Sequence, residues 1–169
     1  MKEVTYNEYA DKALEILSNG AFLTTAHDGK VNTMTIGWGS VSYIWGKPVM
    51  MVMVRESRYT HDLIEKSGEF TVSLPFKDMK KKLNFCGAKS GREVDKIAVT
   101  ELTTAPGQKV STPVIADCGL TYECKIVYKQ VMDEAGLDPE YKQKWYAQGD
   151  YHTLYYGEIV ACYTLVSQA

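Results

Sequence analysis

Apolar and polar positions alternate along this chain with two periods, and each switch of period marks a new element. Tyr9, Ala13, Ile16 and Leu17 share one helical face, Thr5 and Glu8 form a capping-box pattern before them, and Gly20 supplies a stop. A short amphipathic helix is therefore expected near the start. Residues 21–26 and 31–38 are strand-like and flank His27, Asp28, Gly29 and Lys30. Asp-Gly tolerates the positive φ angles of a tight turn, so these runs predict a hairpin. After Pro48 the run 49–54 is continuously apolar and reads as a buried central strand.

Residues 55–60 break that strand, and Thr60 with Asp62, Leu63, Ile64 and Lys66 opens a short helix. Strand character returns over 69–74 and stops at Pro75. A basic, partly amphipathic stretch at 77–85 predicts a second short helix, followed by a loop over 87–92; residues 100–117 read as irregular. Leu120, Tyr122, Cys124, Ile126 and Tyr128 alternate with polar residues, the period of a strand with one buried face. A polar loop with one helical turn is expected at 133–149, and 151–165, rich in Tyr, Val, Ile and Thr, closes the sheet. Six or seven strands with a few short helices at their ends predict a mainly β fold, a β-barrel rather than a doubly wound sheet. No glycine-rich dinucleotide fingerprint is present, so any nicotinamide would bind without a Rossmann unit.

The 169 residues fit a single domain, 1–169, and a chain of that size buries roughly 70% of its unfolded surface. A net charge of −2 with interspersed signs argues against nucleic acid or an anionic membrane as partner. Residues 1–5 lack a signal pattern, and no apolar run approaches the roughly 20 residues that span a bilayer, so a cytoplasmic location is expected. Cys86, Cys118, Cys124 and Cys162 lack the spacing of zinc or redox motifs. They are expected to be reduced and mostly buried, with no metal.

Three segments carry candidate chemistry. Residues 32–39 (Asn-Thr-Met-Thr-Ile-Gly-Trp-Gly) set small and hydroxyl-bearing side chains beside an aromatic one, which suits a flat ring needing an apolar slot and edge hydrogen bonds. A buried strand twisting at its glycines explains the same pattern equally well. Arg55, Ser57, Arg58, Tyr59 and Thr60 converge between a strand and a helix start, which makes an anion site, or else a solvated cluster with an N-cap. Residues 86–92 with Asp95 and Lys96 form a second basic loop. It is not a P-loop, because Ala88 stands where the glycine before the lysine belongs.

In this order the segments resemble the flavin reductase-like family of FMN-binding split β-barrels, particularly its flavoredoxin-like branch. The carrying motifs are 32–39, the apolar strand running into Arg55-x-Ser57-Arg58-Tyr59-Thr60, Lys89-Ser90-Gly91-Arg92 with Asp95-Lys96, and Gly149-Asp150-Tyr151-His152 before Tyr156-Gly157-Glu158. The resemblance implies an FMN-binding split barrel. Asn32, Thr33, Thr35 and Trp38 would border the isoalloxazine, and Ser57, Arg58, Tyr59 and Thr60 would hold phosphate. Lys89, Ser90 and Lys96 would supply loop contacts, and His152 and Tyr156 would reach the flavin from the last strand, across a homodimer. Met34, Ile36, Val54, Arg55 and Ala88 complete the implied cofactor contacts. Glu56 departs from the family, where proline is frequent, and leaves the stiffness of the phosphate turn open.

His152 is the candidate catalytic residue, since an ordinary histidine pKa near 6.5 allows proton exchange; a binding role is favoured over that one. Trp45 and Trp145 read as core or interface residues. The activity implied is an oxidoreductase that passes electrons from NAD(P)H through FMN to flavin, a redox partner protein or a small acceptor. A non-catalytic FMN electron carrier or sensor is the alternative. Related barrels also hold pyridoxine phosphates or haem, but the Trp38 segment argues for flavin.

Overall fold

The two edge strands of the main sheet are joined by residues 37–38 alone, and this sets the architecture. In the computed structural model, which describes residues 1–165, the order is β1 (Lys2–Glu3), α1 (Ala10–Asn19), β2 (Ala21–His27), β3 (Lys30–Ile36), β4 (Gly39–Ile44), β5 (Lys47–Arg55), α2 (Tyr59–Ser67) and β6 (Glu69–Leu74). It continues with α3 (Lys80–Ala88), α4 (Lys96–Val99), β7 (Thr104–Ala105), β8 (Val114–Ile115), β9 (Leu120–Val131), α5 (Pro139–Tyr146) and β10 (His152–Thr164). Residues 166–169 of the expected domain lie outside the described residues. The sheet runs β3-β2-β6-β9-β10-β5-β4, with β1 added to β10. Because its two ends are nearly adjacent in sequence, the sheet curls round without a ladder between β3 and β4. That is a split barrel, as expected, mainly β with short helices.

Inside lie Leu23, Met34, Met50, Val52, Phe70, Tyr122 and Tyr155. A second cluster, including Phe22, Leu83, Cys86 and Cys118, joins α3 to the sheet. All four cysteines are buried and free. Among the described residues, no helix is long and apolar enough to cross a membrane.

Several boundaries differ from expectation. Helix α1 starts at Ala10 without a side-chain cap. Thr5 and Glu8 form a backbone turn instead (Glu8 N–H to Thr5 O, 3.1 Å), because Val4 and Tyr6 are tied back to the barrel by Cys162 O and the Tyr122 hydroxyl. Strand β4 was not expected. It forms a tight hairpin with β5 through Trp45 and Gly46, both at positive φ. The 100–117 stretch holds the β7–β8 pair, and α5 has eight residues, more than one turn, capped by Asp138 with Pro139 in its first turn.

Strand β9 is not half-exposed at its start: Leu120, Thr121, Tyr122, Glu123 and Cys124 are all buried. The chain at 108–110 covers its polar face. The Glu123 carboxylate accepts the N–H groups of Gln108, Lys109 and Val110 at 2.7, 2.7 and 3.2 Å and the Tyr163 hydroxyl at 2.5 Å. Hydrogen bonding, not solvent, satisfies that buried charge.

Candidate functional site

The pleat of β3 sends Asn32 and Met34 to one side and Thr33 to the other. Asn32 Nδ2 donates to Thr60 Oγ1 at 2.7 Å and so ties β3 to the start of α2. The Arg58 N–H closes the preceding turn on Arg55 O at 3.0 Å. No side chain caps α2, so its first turn offers N–H donors and the positive end of its dipole. Opposite lies the loop after α3. A Cβ on Gly91 would run into the Asn32 amide and stand 2.8 Å from Tyr59 Cδ1. Only glycine lets that loop lie so close.

Between turn and loop is a cleft of about 220 Å³ lined by Ser57, Arg58, Tyr59 and Thr60, by Ala88 to Gly91, and by Asn32, Met34, Arg55, Lys96 and Asp150. Four of the lining side chains are cationic and one is a carboxylate. Lys96 is buried, and its Nζ donates to Cys86 O at 3.1 Å. Burial, assisted by the nearby Arg58 charge and offset by Cys86, brings its pKa down to about 8. A buried ammonium facing a second cation is the arrangement an anion would relieve.

A second cleft of about 250 Å³ shares Met34, Arg55 and Arg58 with the first and continues past Thr35, Ile36, Gly37, Trp38, Met53, Trp145 and His152. Its character is aromatic. Trp38 and Trp145 meet edge to face at 5.0 Å, and Trp38 lies 5.4 Å from the His152 ring. Arg55 holds the far wall in place, donating to Trp145 O at 3.0 Å and Asp150 O at 2.6 Å. Glu56 donates its N–H to Tyr151 O at 3.4 Å, a bond that the proline implied here by the family resemblance could not make.

His152 is buried with Nδ1 2.7 Å from the Tyr146 hydroxyl. Burial, reinforced by Arg55 and Arg58 against the opposing pull of Asp150, lowers its pKa to about 4. It is therefore a neutral imidazole near pH 7, and the expectation of an ordinary pKa near 6.5 is corrected.

Three residues expected at the site lie elsewhere. Thr33 is buried, and its hydroxyl donates to Leu23 O at 3.3 Å; it lines neither cleft but borders an adjoining groove that shares Asn32, Tyr59, Gly91 and Lys96 with the first. Val54 belongs to the barrel core. Tyr156 packs on Tyr128 at 5.5 Å and Trp45 at 6.3 Å, away from both clefts. Thr35 borders the second cleft, but its hydroxyl donates to Leu83 O at 2.6 Å. Conversely, Gly37, Met53, Gly91, Trp145 and Asp150 line the clefts without having been singled out as cofactor contacts. Trp145 is a half-exposed cleft wall rather than core. For Asp150 the available signal was the Gly149-Asp150 pair just before the last strand, separated from it by Tyr151; both residues take positive φ.

The curled sheet, open between β3 and β4, with two joined clefts at the start of α2, defines the class of split barrels. The chain belongs to the flavin reductase like domain family, which matches residues 15–168. A protein of Archaeoglobus fulgidus is 34% identical over 131 residues, covering 78% of this chain. This chain spans 64% of that relative's length. The crystal structure of flavoredoxin from Methanosarcina acetivorans is 30% identical, with a TM-score of 0.66, covering 85% of this chain and 67% of that one. The FMN-binding protein of Thermus thermophilus with bound 1-cyclohex-2-enone shares the fold at 23% identity and a TM-score of 0.68, over 86% of this chain and 70% of its own.

Proposed function

We propose that this chain binds FMN along the two connected clefts and works as an oxidoreductase, taking electrons from NAD(P)H and passing them to free flavin, a protein or a small acceptor. One observation carries the reading: a cation-rich cleft at a helix start runs, through Arg55, Arg58 and Met34, into an aromatic slot. A phosphorylated flat ring has that polarity along its length. The family membership and the flavoredoxin likeness point the same way.

When bound, FMN supplies the electron chemistry. The chain's residues hold, orient and shield it. Arg58, Lys89, Lys96 and the start of α2 hold the phosphate by charge-assisted hydrogen bonds. Trp38, Met53 and Trp145 exclude water from the ring slot. His152, neutral and fixed by Tyr146, serves as a hydrogen-bonding group rather than a proton relay.

A homodimer belongs to the same proposal. Tyr43 and Trp45 are 63% and 62% exposed, and Trp45 meets the exposed Tyr128 at 6.0 Å, an aromatic patch of the sort that interfaces cover. A sedimentation mass of one chain at micromolar concentration would contradict this.

The donor is tested by mixing FMN-loaded protein with NADH or NADPH without oxygen. Bleaching of the yellow absorbance within seconds to minutes is expected. A second reading, an electron carrier without nicotinamide turnover, draws on the flavoredoxin likeness. It is favoured if dithionite bleaches the protein while both nicotinamides leave it yellow.

A further inference from the structure

The donors expected to greet a phosphate at Ser57 are already engaged by the chain itself. Ser57 N–H donates to Asp150 Oδ1 at 3.1 Å, and the Ser57 hydroxyl donates to Asp150 Oδ2 at 2.7 Å. A hydroxyl has one proton, so Ser57 has no donor left for a ligand. Asp150 sits at φ 56°, a left-handed conformation that costs a non-glycine residue energy and is aided here by Gly149 at φ 74°. Its backbone carbonyl is held by Arg55 Nη1 at 2.6 Å, and it supplies the one carboxylate among the side chains lining the cation-rich cleft.

We infer that Asp150 is an internal anion that competes with the ligand's phosphate for Ser57, and so determines how strongly the site prefers a phosphorylated flavin over the same flavin without phosphate. The inference rests on the FMN reading above. Two effects act together. Asp150 withholds both Ser57 donors, and its charge repels phosphate across the cleft while partly neutralising Arg55, Arg58 and Lys96. Both effects disfavour phosphate, and the Asp150 side chain lines the cation-rich cleft but not the ring slot walled by Trp38 and Trp145. Asp150 is thus a specificity residue rather than a catalytic one.

A purely structural role predicts the reverse. If Asp150 served only to hold Ser57 and residues 145–150 in shape, removing its charge would loosen the slot and weaken both flavins together. The pair FMN and riboflavin therefore separates the roles, because the two ligands share the ring and differ in the phosphate.

The experiment is fluorescence titration of FMN and of riboflavin into apoprotein, for the wild-type chain and for Asp150→Asn, which keeps the side chain's shape and removes its charge. Asp150→Asn is expected to tighten FMN roughly tenfold, the scale of one charge–charge term at a few ångströms in a partly solvated site, with riboflavin unchanged within about twofold. The ratio of the two affinities rises accordingly. Asp150→Ser serves as a second charge-removing variant should the asparagine chain fold poorly, and the same rise in ratio is expected. A ratio that stays flat or falls in the folded variants overturns the inference while leaving the FMN reading intact. A wild-type chain that binds neither flavin overturns both.

Discussion

The phenolic oxygen of Tyr146 lies 2.7 Å from Nδ1 of His152, so the last turn of α5 and the first residue of β10 share one buried hydrogen bond behind the ring slot. Burial keeps His152 neutral down to about pH 4. An unfolded chain protonates this histidine near 6.5. Between those values the unfolded state binds more protons than the native one, so stability is complete above pH 6.5 and falls as pH drops toward 4. The loss is roughly 3 kcal/mol from this residue by the pKa difference. Urea unfolding at pH 7.5 and 4.5 is expected to show it, and His152→Gln is expected to flatten the dependence. An equal pH slope in wild type and variant would refute the prediction.

Lys96 presents the opposite balance of function and stability. Its native pKa of about 8 lies below the ordinary lysine value, so the ligand-free chain gains stability as pH rises from 8 toward 10.5. Lys96→Met removes the buried charge. It is expected to raise the Tm of the apoprotein, by about 2–4 °C for each kcal/mol recovered, and to weaken FMN at least tenfold. Thermal melts with and without FMN test both parts. A lowered apoprotein Tm would show that the bond to Cys86 O outweighs the buried charge.

Gly91→Ala directs a methyl group at the Asn32 amide and the Tyr59 ring. The loop at 89–92 must then lift from β3, and the expected result is an FMN dissociation constant about tenfold or more higher, with global stability lowered by roughly 1–3 kcal/mol. Unchanged affinity would mean that the loop does not close the phosphate end.

Glu123→Gln leaves at least one of three backbone N–H donors facing an amide NH₂ in the barrel wall. A destabilisation of about 2–4 kcal/mol is expected, with FMN affinity unaltered because Glu123 touches neither cleft. Chemical denaturation of the apoprotein measures the first, and ligand titration the second.

What could be read from the residues alone tracked the strength of local signals. The Asp28-Gly29 turn, the apolar run of β5 and the break after Arg55 each carry a physical rule within a few residues, and all are present in the fold, although α2 starts at Tyr59 with Arg58 as its uncapped N-cap rather than opening at Thr60. Strand β4 eluded such reading because it is only partly buried throughout and its turn uses Trp45, a residue without turn preference, at positive φ. Glu123 looked solvent-facing because alternation reports polarity, and only the distant chain at 108–110 decides that this polar face is buried. Asp150 and Trp145 joined the site for a similar reason. Arg55 draws them in across 95 and 90 residues of sequence, a separation that no local pattern encodes.

The central claim, that FMN occupies the joined clefts, is tested most directly by calorimetric titration of the apoprotein with FMN. One FMN per chain with a micromolar or tighter dissociation constant is predicted, together with quenched flavin fluorescence. No heat of binding and unaltered flavin fluorescence at tens of micromolar protein would contradict it.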